Sequence, residues 1–238
     1  RPAQESRGLG DVYKRQDNTI SKALISSYII FLTILLIRMF SNFFLDLPLH
    51  YDEAQYWSWS KTLEWGYYSK PPILAWLINV NVLLCGDEES CLRLFSPLMH
   101  TITCIVIIYS GYCLLKDINV SIFIGLLYLL MPGVTFSSFL ISTDVPLLLF
   151  SALTVLSLIK IIQSNYKKLS YYLLFAVAVS LGILSKYAML YLFFSIILLP
   201  FSIKKKSCKV QRKKWNGERG SSITLNPDST TQAHRRIS

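Results

Sequence analysis

The stretch LRLFSPLMHTITCIVIIYSGYCLL, residues 92–115, decides the class of this protein, because it is long and apolar and carries Arg93 as its single charged residue. A helix needs about 20 predominantly apolar residues to cross a bilayer. The chain of 238 residues is 53% hydrophobic and only 16% charged, whereas soluble globular proteins are about one quarter charged. We therefore expect an integral membrane protein and exclude a soluble or disordered chain for most of the length.

Further spans are predicted on either side of this stretch. They cover approximately residues 20–45, 118–136 and 145–162. The run 169–203 is too long for one crossing, and Gly182, Ser185 and Lys186 interrupt it, so it is divided into two spans. The predicted fold class is all-α, a multi-pass transmembrane helical bundle of about six spans.

The distribution of lysine predicts the orientation of the bundle. Lysines lie before the first predicted span, between the second and third, between the fourth and fifth, and after the sixth. All of them fall on one side if there are six crossings, and short basic loops favour the cytoplasm. We therefore expect a protein of the cytoplasmic membrane whose N-terminus lies on the cytoplasmic side. The loop 46–91, which is biased toward acidic residues, is then on the outer, periplasmic face.

The two ends differ in composition from the middle. Residues 1–18 are polar and lack the apolar core of a signal peptide, so we interpret them as an adapter-like, non-native tail. Residues 204–238 are basic, rich in small polar residues and without hydrophobic periodicity, and we expect them to be disordered or frameshifted. The transmembrane domain is then 19–203. No nucleic-acid partner is expected, because a nucleic-acid binder would have to hide its basic surface among long apolar runs. Most of the net charge of +10 lies in the tail.

The outer loop is rich in aromatic residues, which is typical of a membrane interface. Helical pitch over Tyr51–Ser60 places Asp52 with Tyr56 on one face and Glu53 on the adjacent face. Pro71 and Pro72 suit the start of a second helix, which has too few apolar residues to span and is expected to lie at the interface.

The cysteines of the outer loop leave two possibilities open. Cys85 and Cys91 flank a turn, and the pair either forms a disulfide in an oxidising compartment or remains as two thiols. No cysteine or histidine spacing typical of a metal site is present.

Several strings of this sequence together resemble glycosyltransferase family 39, which includes the dolichyl-phosphate-mannose protein mannosyltransferases and the bacterial aminoarabinose transferases. They are HYDEAQYWSWS (50–60), LEWGYYSKPPILAWL (63–77), CLRLFSPL (91–98), ISTDVPLLLFSALTV (141–155) and LGILSKYAMLY (181–191). The resemblance implies the GT-C architecture, with juxtamembrane helices in the first outer loop, and a polyprenyl-phosphate-linked sugar donor. Members of that family are much longer, so we expect an N-terminal fragment.

The resemblance implies a role for each matching residue of the outer loop. Asp52 matches the catalytic aspartate and is expected to act as general base on the acceptor, while Glu53 either assists or pairs with a cation. Lys70, in the Lys-Pro-Pro segment, is expected near the donor phosphate, with anchoring to lipid headgroups as the alternative. Ser69 stands where the aminoarabinose transferases carry a Glu associated with metal binding. We therefore expect no metal and no other cofactor, and we doubt aminoarabinose as the sugar.

Two further candidates lie near the outer ends of spans. Asp144 matches the Thr-Asp segment of the family and is expected to bind substrate, or to be only the N-cap of the fourth span. Lys186 interrupts an apolar run, where an ionisable residue is costly. It is expected either to meet the lipid phosphate or to extend toward the interface.

Arginine and tyrosine side chains complete the candidate site. Arg38 and Arg93 are expected to bind the donor phosphate, with interfacial anchoring as the alternative for both. The tyrosines expected to contact substrate are Tyr56, Tyr67 and Tyr68, although aromatic belts are more common than binding sites.

The sequence thus predicts an enzyme, a membrane glycosyltransferase working on the outer face of the cytoplasmic membrane. Its partners are expected to be a polyprenyl-phosphate-linked sugar donor, a protein, lipid or glycan acceptor, and membrane lipids. One alternative is a transporter or flippase of a lipid-linked substrate, in which Asp144 and Lys186 form an intramembrane relay. The other is a membrane fragment that is inactive alone.

Overall fold

The computed structural model describes residues 25–44 and 48–198, and within these ranges every regular element is an α-helix. The predicted all-α fold class is confirmed. The predictions made for the tails 1–18 and 204–238 lie outside the described residues. So do the outermost parts of the first and last predicted spans.

Three helical segments are long and apolar enough to cross a membrane. They are α1 (Ile25–Phe44), the run Glu89–Leu115, and α8 (Asp144–Gln163). The second segment comprises α4 (Glu89–Leu92) and α5 (Phe95–Leu115). The other predicted spans correspond to shorter apolar helices, α6 (Ile118–Leu130), α9 (Leu169–Ser185) and α10 (Met189–Leu198). The count of six crossings stays a prediction.

The third predicted span, 118–136, is not one continuous helix. The helix α6 ends at Leu130, Met131 adopts an extended conformation with ψ of 130°, and Pro132 begins the short helix α7 (Pro132–Ser137). Proline has no N–H to donate and clashes with the preceding turn, so the ladder of hydrogen bonds ends here. Arg38 of α1 compensates, because its Nη2 donates to the Leu129 carbonyl oxygen at 2.6 Å.

Close helix packing organises the membrane part. The helix α5 packs against both α6 and α8, and α8 packs against α9. At the first of these contacts Gly125 allows a near approach, since a Cβ atom there would lie 2.4 Å from Cγ1 of Ile108. The described residues up to Leu190 form one compact unit, which contains every residue considered in the site below.

The outer loop contains the two helices predicted from the sequence, and their location at the membrane interface stays a prediction. They are α2 (Tyr51–Ser60) and α3 (Ile73–Cys85), with Pro72 as the N-cap of α3. Asn79 of α3 donates to the carbonyl oxygen of Ser60 at 2.9 Å and ties the two helices together. Their shared core contains the buried side chains of Tyr56, Leu74, Ile78, Leu92 and Ile141.

A disulfide between Cys85 and Cys91 closes the turn from α3 to α4. It resolves the alternative left open by the sequence. On the other side of this turn, Asp87 accepts a hydrogen bond of 3.0 Å from Nε1 of Trp57. The disulfide therefore links the end of α3 to α4, and the hydrogen bond links the turn to α2.

Candidate active site

Four of the predicted site residues are connected through Tyr56 and Asp144, and we call them the acid–lysine cluster: Asp52, Tyr56, Asp144 and Lys186. Asp52 and Tyr56 are four residues apart in α2 and so share one helix face. Asp144 is the first residue of α8, and Lys186 directly follows α9. The Lys186 ammonium lies 2.6 Å from Oδ1 of Asp144.

Tyr56 is the buried member of this cluster, with 5% of its surface exposed. Burial raises the pKa of its phenol, and the negative charges of Asp52 and Asp144 raise the pKa further. Both carboxylates are therefore near enough to the phenol to act on it electrostatically. The phenol stays protonated at neutral pH and is available as a hydrogen-bond donor.

The charged members of the cluster remain accessible. Asp52 is exposed, and within the described residues its carboxylate has no hydrogen bond or ion pair. The Asp144 and Lys186 side chains keep 50% and 34% of their surface exposed. Two carboxylates and one ammonium of the cluster are thus accessible to a ligand.

Glu53, the neighbour of Asp52, points away from this surface and is buried against Arg93. The Arg93 Nη2 and Nε atoms lie 2.7 and 3.1 Å from its two carboxylate oxygens. The same oxygens accept backbone hydrogen bonds from His50 at 3.0 Å and from Ile141 at 2.7 Å. Burial alone would raise the pKa of Glu53, but the hydrogen bonds from Arg93, His50 and Ile141 outweigh it and lower the pKa.

This Glu53–Arg93 pair connects α2 with the start of the α5 region and with the segment that precedes α8. Arg93 is 2% exposed and also donates to the Pro48 carbonyl oxygen at 3.2 Å. The pairing of Glu53 with a cation, one of the two expectations from the sequence, is therefore observed. The expected catalytic role of Glu53 and the expected phosphate contact of Arg93 stay predictions, and neither side chain is open to solvent here.

Lys70, Tyr67 and Tyr68 lie near the other end of α2. The ring of Tyr67 stacks on Trp59 with 5.0 Å between centroids, and its backbone N–H donates to the Lys70 carbonyl oxygen. Asp52 and Trp59 are separated by about two helical turns, or about 10 Å along the axis. The Lys70 amine has no side-chain partner among the described residues, and Tyr68 is fully exposed. The structure thus does not bring these three residues into the acid–lysine cluster.

Arg38 is also apart from the cluster. It is 5% exposed, and its Nη2 lies 3.1 Å from Oγ1 of Thr135 in addition to the Leu129 carbonyl oxygen. Its guanidinium therefore stabilises the break between α6 and α7. The phosphate contact expected from the sequence has no support in this placement and stays a prediction.

One polar group inside the bundle was missed by sequence reasoning. His100 of α5 is fully buried, with its Nδ1 at 2.9 Å from the Tyr128 hydroxyl and its Nε2 at 2.8 Å from Oγ of Ser137. It connects α5 with both sides of the α6–α7 break. An ionisable residue within an apolar span was the signal that could have identified it.

The fold and the site together define a class of protein. It is a multi-pass membrane protein in which carboxylates and a lysine lie together at the ends of helices. The chain belongs to the dolichyl-phosphate-mannose-protein mannosyltransferase family, whose sequence profile matches residues 69–217. That match includes Lys70, Arg93, Asp144 and Lys186, whereas Asp52 and Glu53 precede it.

A curated relative extends this comparison. The chain is 36% identical over 154 residues to the lipid A galacturonosyltransferase RgtD of Rhizobium johnstonii. The alignment covers 63% of this chain and 32% of that protein, so the chain spans about a third of the length of the relative. No solved structure matches the chain.

Proposed function

We propose that this protein is a membrane glycosyltransferase that transfers a sugar from a polyprenyl-phosphate-linked donor to an acceptor on the outer face of the cytoplasmic membrane. Family membership is the observation that carries the proposal, because the family is described by a sugar donor linked to a lipid phosphate. The relative is itself named as a transferase of a sugar to a lipid. Both favour transfer over the transporter alternative.

The acid–lysine cluster supplies groups for such a transfer. An acceptor hydroxyl attacks the anomeric carbon of the donor sugar, the bond from that carbon to the phosphate oxygen breaks, and the phosphate leaves with the bonding electrons. Asp52, exposed and without a partner in the described part of the chain, takes the proton of the acceptor. Lys186 stabilises the charge that develops on the phosphate.

Tyr56 and Lys70 have supporting roles in this proposal. The protonated phenol of Tyr56, whose pKa is raised by burial and by both carboxylates, donates a hydrogen bond to substrate. Lys70 follows Tyr67, whose ring stacks on Trp59 about two helical turns along α2 from Asp52, so we assign Lys70 to a more distant part of the donor or acceptor than the reacting centre.

The outer location rests on two features of the same loop. The disulfide Cys85–Cys91 suits an oxidising compartment. The acidic bias of 46–91 suits the face opposite to the short basic loops. Both support a site that faces away from the cytoplasm.

A transfer assay with Asp52→Asn tests this proposal. Membranes carrying the full-length protein are given a polyprenyl-phosphate donor with a labelled sugar, and label in protein, lipid and glycan fractions is measured. Loss of a general base is expected to lower transfer by about 10²- to 10⁴-fold. Glu64→Gln is the matched control, because Glu64 is an exposed acid of the same loop. Full transfer by Asp52→Asn at normal membrane levels would exclude the assigned role.

A further inference from the structure

The ion pair between Lys186 and Asp144 is the most exposed contact of the acid–lysine cluster. The Nζ–Oδ1 distance is 2.6 Å, and the two side chains keep 34% and 50% of their surface accessible. Ion pairs of this exposure change an equilibrium constant by roughly fivefold or less. Another anion of similar charge can therefore replace the carboxylate at little cost.

Asp144 has an anchor that does not depend on Lys186. Its backbone N–H donates to Oγ of Ser142 at 3.1 Å, and its Oδ2 atom lies 3.3 Å from the same hydroxyl. Lys186 lies outside the helices, in extended backbone at the C-terminal end of α9. The two partners are thus held separately, so that breaking the ion pair leaves both segments in place.

We propose that this ion pair is a counter-ion switch, in which the phosphate of the lipid-linked donor replaces the Asp144 carboxylate on the Lys186 ammonium and releases Asp144 beside Tyr56 and Asp52. The inference rests on the proposed function and adds an order of events to it. Donor binding precedes the release of Asp144, and the released carboxylate is then available to an acceptor hydroxyl.

The charges of the two anions favour such an exchange. A phosphate diester carries one negative charge, as the carboxylate does. Donor binding therefore leaves the anionic charge that faces Lys186 unchanged. When the bond from the sugar to the phosphate oxygen breaks, the phosphate becomes a monoester and gains a second negative charge. Lys186 stabilises that charge more strongly than it stabilised the carboxylate. The switch therefore favours the step in which the phosphate leaves.

Binding of a polyprenyl monophosphate tests the switch without requiring transfer. The full chain in lipid nanodiscs is titrated by native mass spectrometry with the monophosphate, and with the corresponding polyprenol to measure binding of the tail alone. Removing the competing carboxylate in Asp144→Asn is expected to tighten phosphate binding by about two- to fivefold. Lys186→Met is expected to weaken it by at least about tenfold. The double variant is expected to match Lys186→Met.

Matched controls remove the same charges elsewhere. Asp117→Asn retains the N-cap of α6, since asparagine accepts the same backbone hydrogen bonds, and Lys167→Met changes an exposed lysine. Both should bind like the wild type. If Asp144→Asn folds poorly, Asp144→Ser gives the same expectation.

Two results would overturn the switch, and they have different meanings. If the wild type prefers the monophosphate over the polyprenol but Asp144→Asn binds it equally or less well, Asp144 positions Lys186 and the exchange does not occur. If the wild type does not distinguish the monophosphate from the polyprenol, the proposed donor itself is wrong and the switch is excluded with it.

Discussion

The buried Glu53–Arg93 pair makes a sharp prediction about stability. In Glu53→Gln the side chain keeps its shape, but the amide has only one acceptor oxygen. In the wild type, each carboxylate oxygen of Glu53 accepts two N–H hydrogen bonds, one from Arg93 and one from the backbone of His50 or Ile141. Whichever way the amide is turned, its NH2 group faces two donors, and the Arg93 charge loses its carboxylate.

The expected cost of Glu53→Gln is about 3–5 kcal/mol in the free energy of unfolding, which is the usual loss when one partner of a buried ion pair is removed. Denaturant titration of the protein in detergent micelles, followed by tryptophan fluorescence and circular dichroism, measures this value. Glu64→Gln, which removes an exposed acid from the same loop, should change stability by less than about 0.5 kcal/mol. A cost below about 1 kcal/mol for Glu53→Gln would contradict a buried ion pair whose two partners depend on each other.

The same pair predicts how stability depends on pH. The pKa of Glu53 is lowered in the folded protein relative to its usual value of 4.5. Its contribution is therefore fully present above the unfolded-state pKa and is lost as the pH falls through the lower folded-state pKa. The stability difference between wild type and Glu53→Gln should thus be constant near neutral pH and narrow in acid. A difference that instead widens in acid would contradict the lowered pKa.

Two further predictions concern the helix contacts. Gly125→Ala should lower stability by about 1–3 kcal/mol, because the new Cβ would lie 2.4 Å from Cγ1 of Ile108, whereas Gly133→Ala has open space and serves as control. In an Ile108→Ala background Gly125→Ala should cost less, because the clashing Cγ1 and Cδ1 atoms are absent. Replacing Cys85 and Cys91 by Ser should cost about 2 kcal/mol, as expected for a short closed loop. Reductant should destabilise the wild type but not the double variant.

The sequence was sufficient for the elements that depend on local signals. The apolar runs predicted the long helices, and the spacing in Tyr51–Ser60 and the prolines before Ile73 predicted α2 and α3 with good boundaries. The break at Pro132 was missed because the composition of 118–136 outweighed a single residue. Arg38 makes that break stable from another helix, and no local pattern contains such a contact.

Of the two ion pairs among the candidate residues, the sequence brought Asp144 and Lys186 together only in the transporter alternative, and it did not identify Arg93 as the partner of Glu53. Lys186 is 42 positions from Asp144, and Arg93 is 40 positions from Glu53. Each of these charges alone suited either a substrate or a partner within the protein. Tertiary packing decides between these possibilities, since a buried charge must find a counter-charge whereas an exposed one need not.

The adjacent acids Asp52 and Glu53 illustrate how packing divides two similar residues. Consecutive positions of a helix point in directions about 100° apart, so one carboxylate faces the core and the other faces solvent. Glu53 holds the Ile141 N–H at 2.7 Å, and Asp144 follows only three residues later. The buried acid therefore fixes the segment that carries Asp144, while the exposed acid is accessible to solvent. It follows that Glu53→Gln should reduce transfer activity by displacing Asp144 even at temperatures where the variant remains folded, and that Asp52→Asn should reduce transfer without loss of stability.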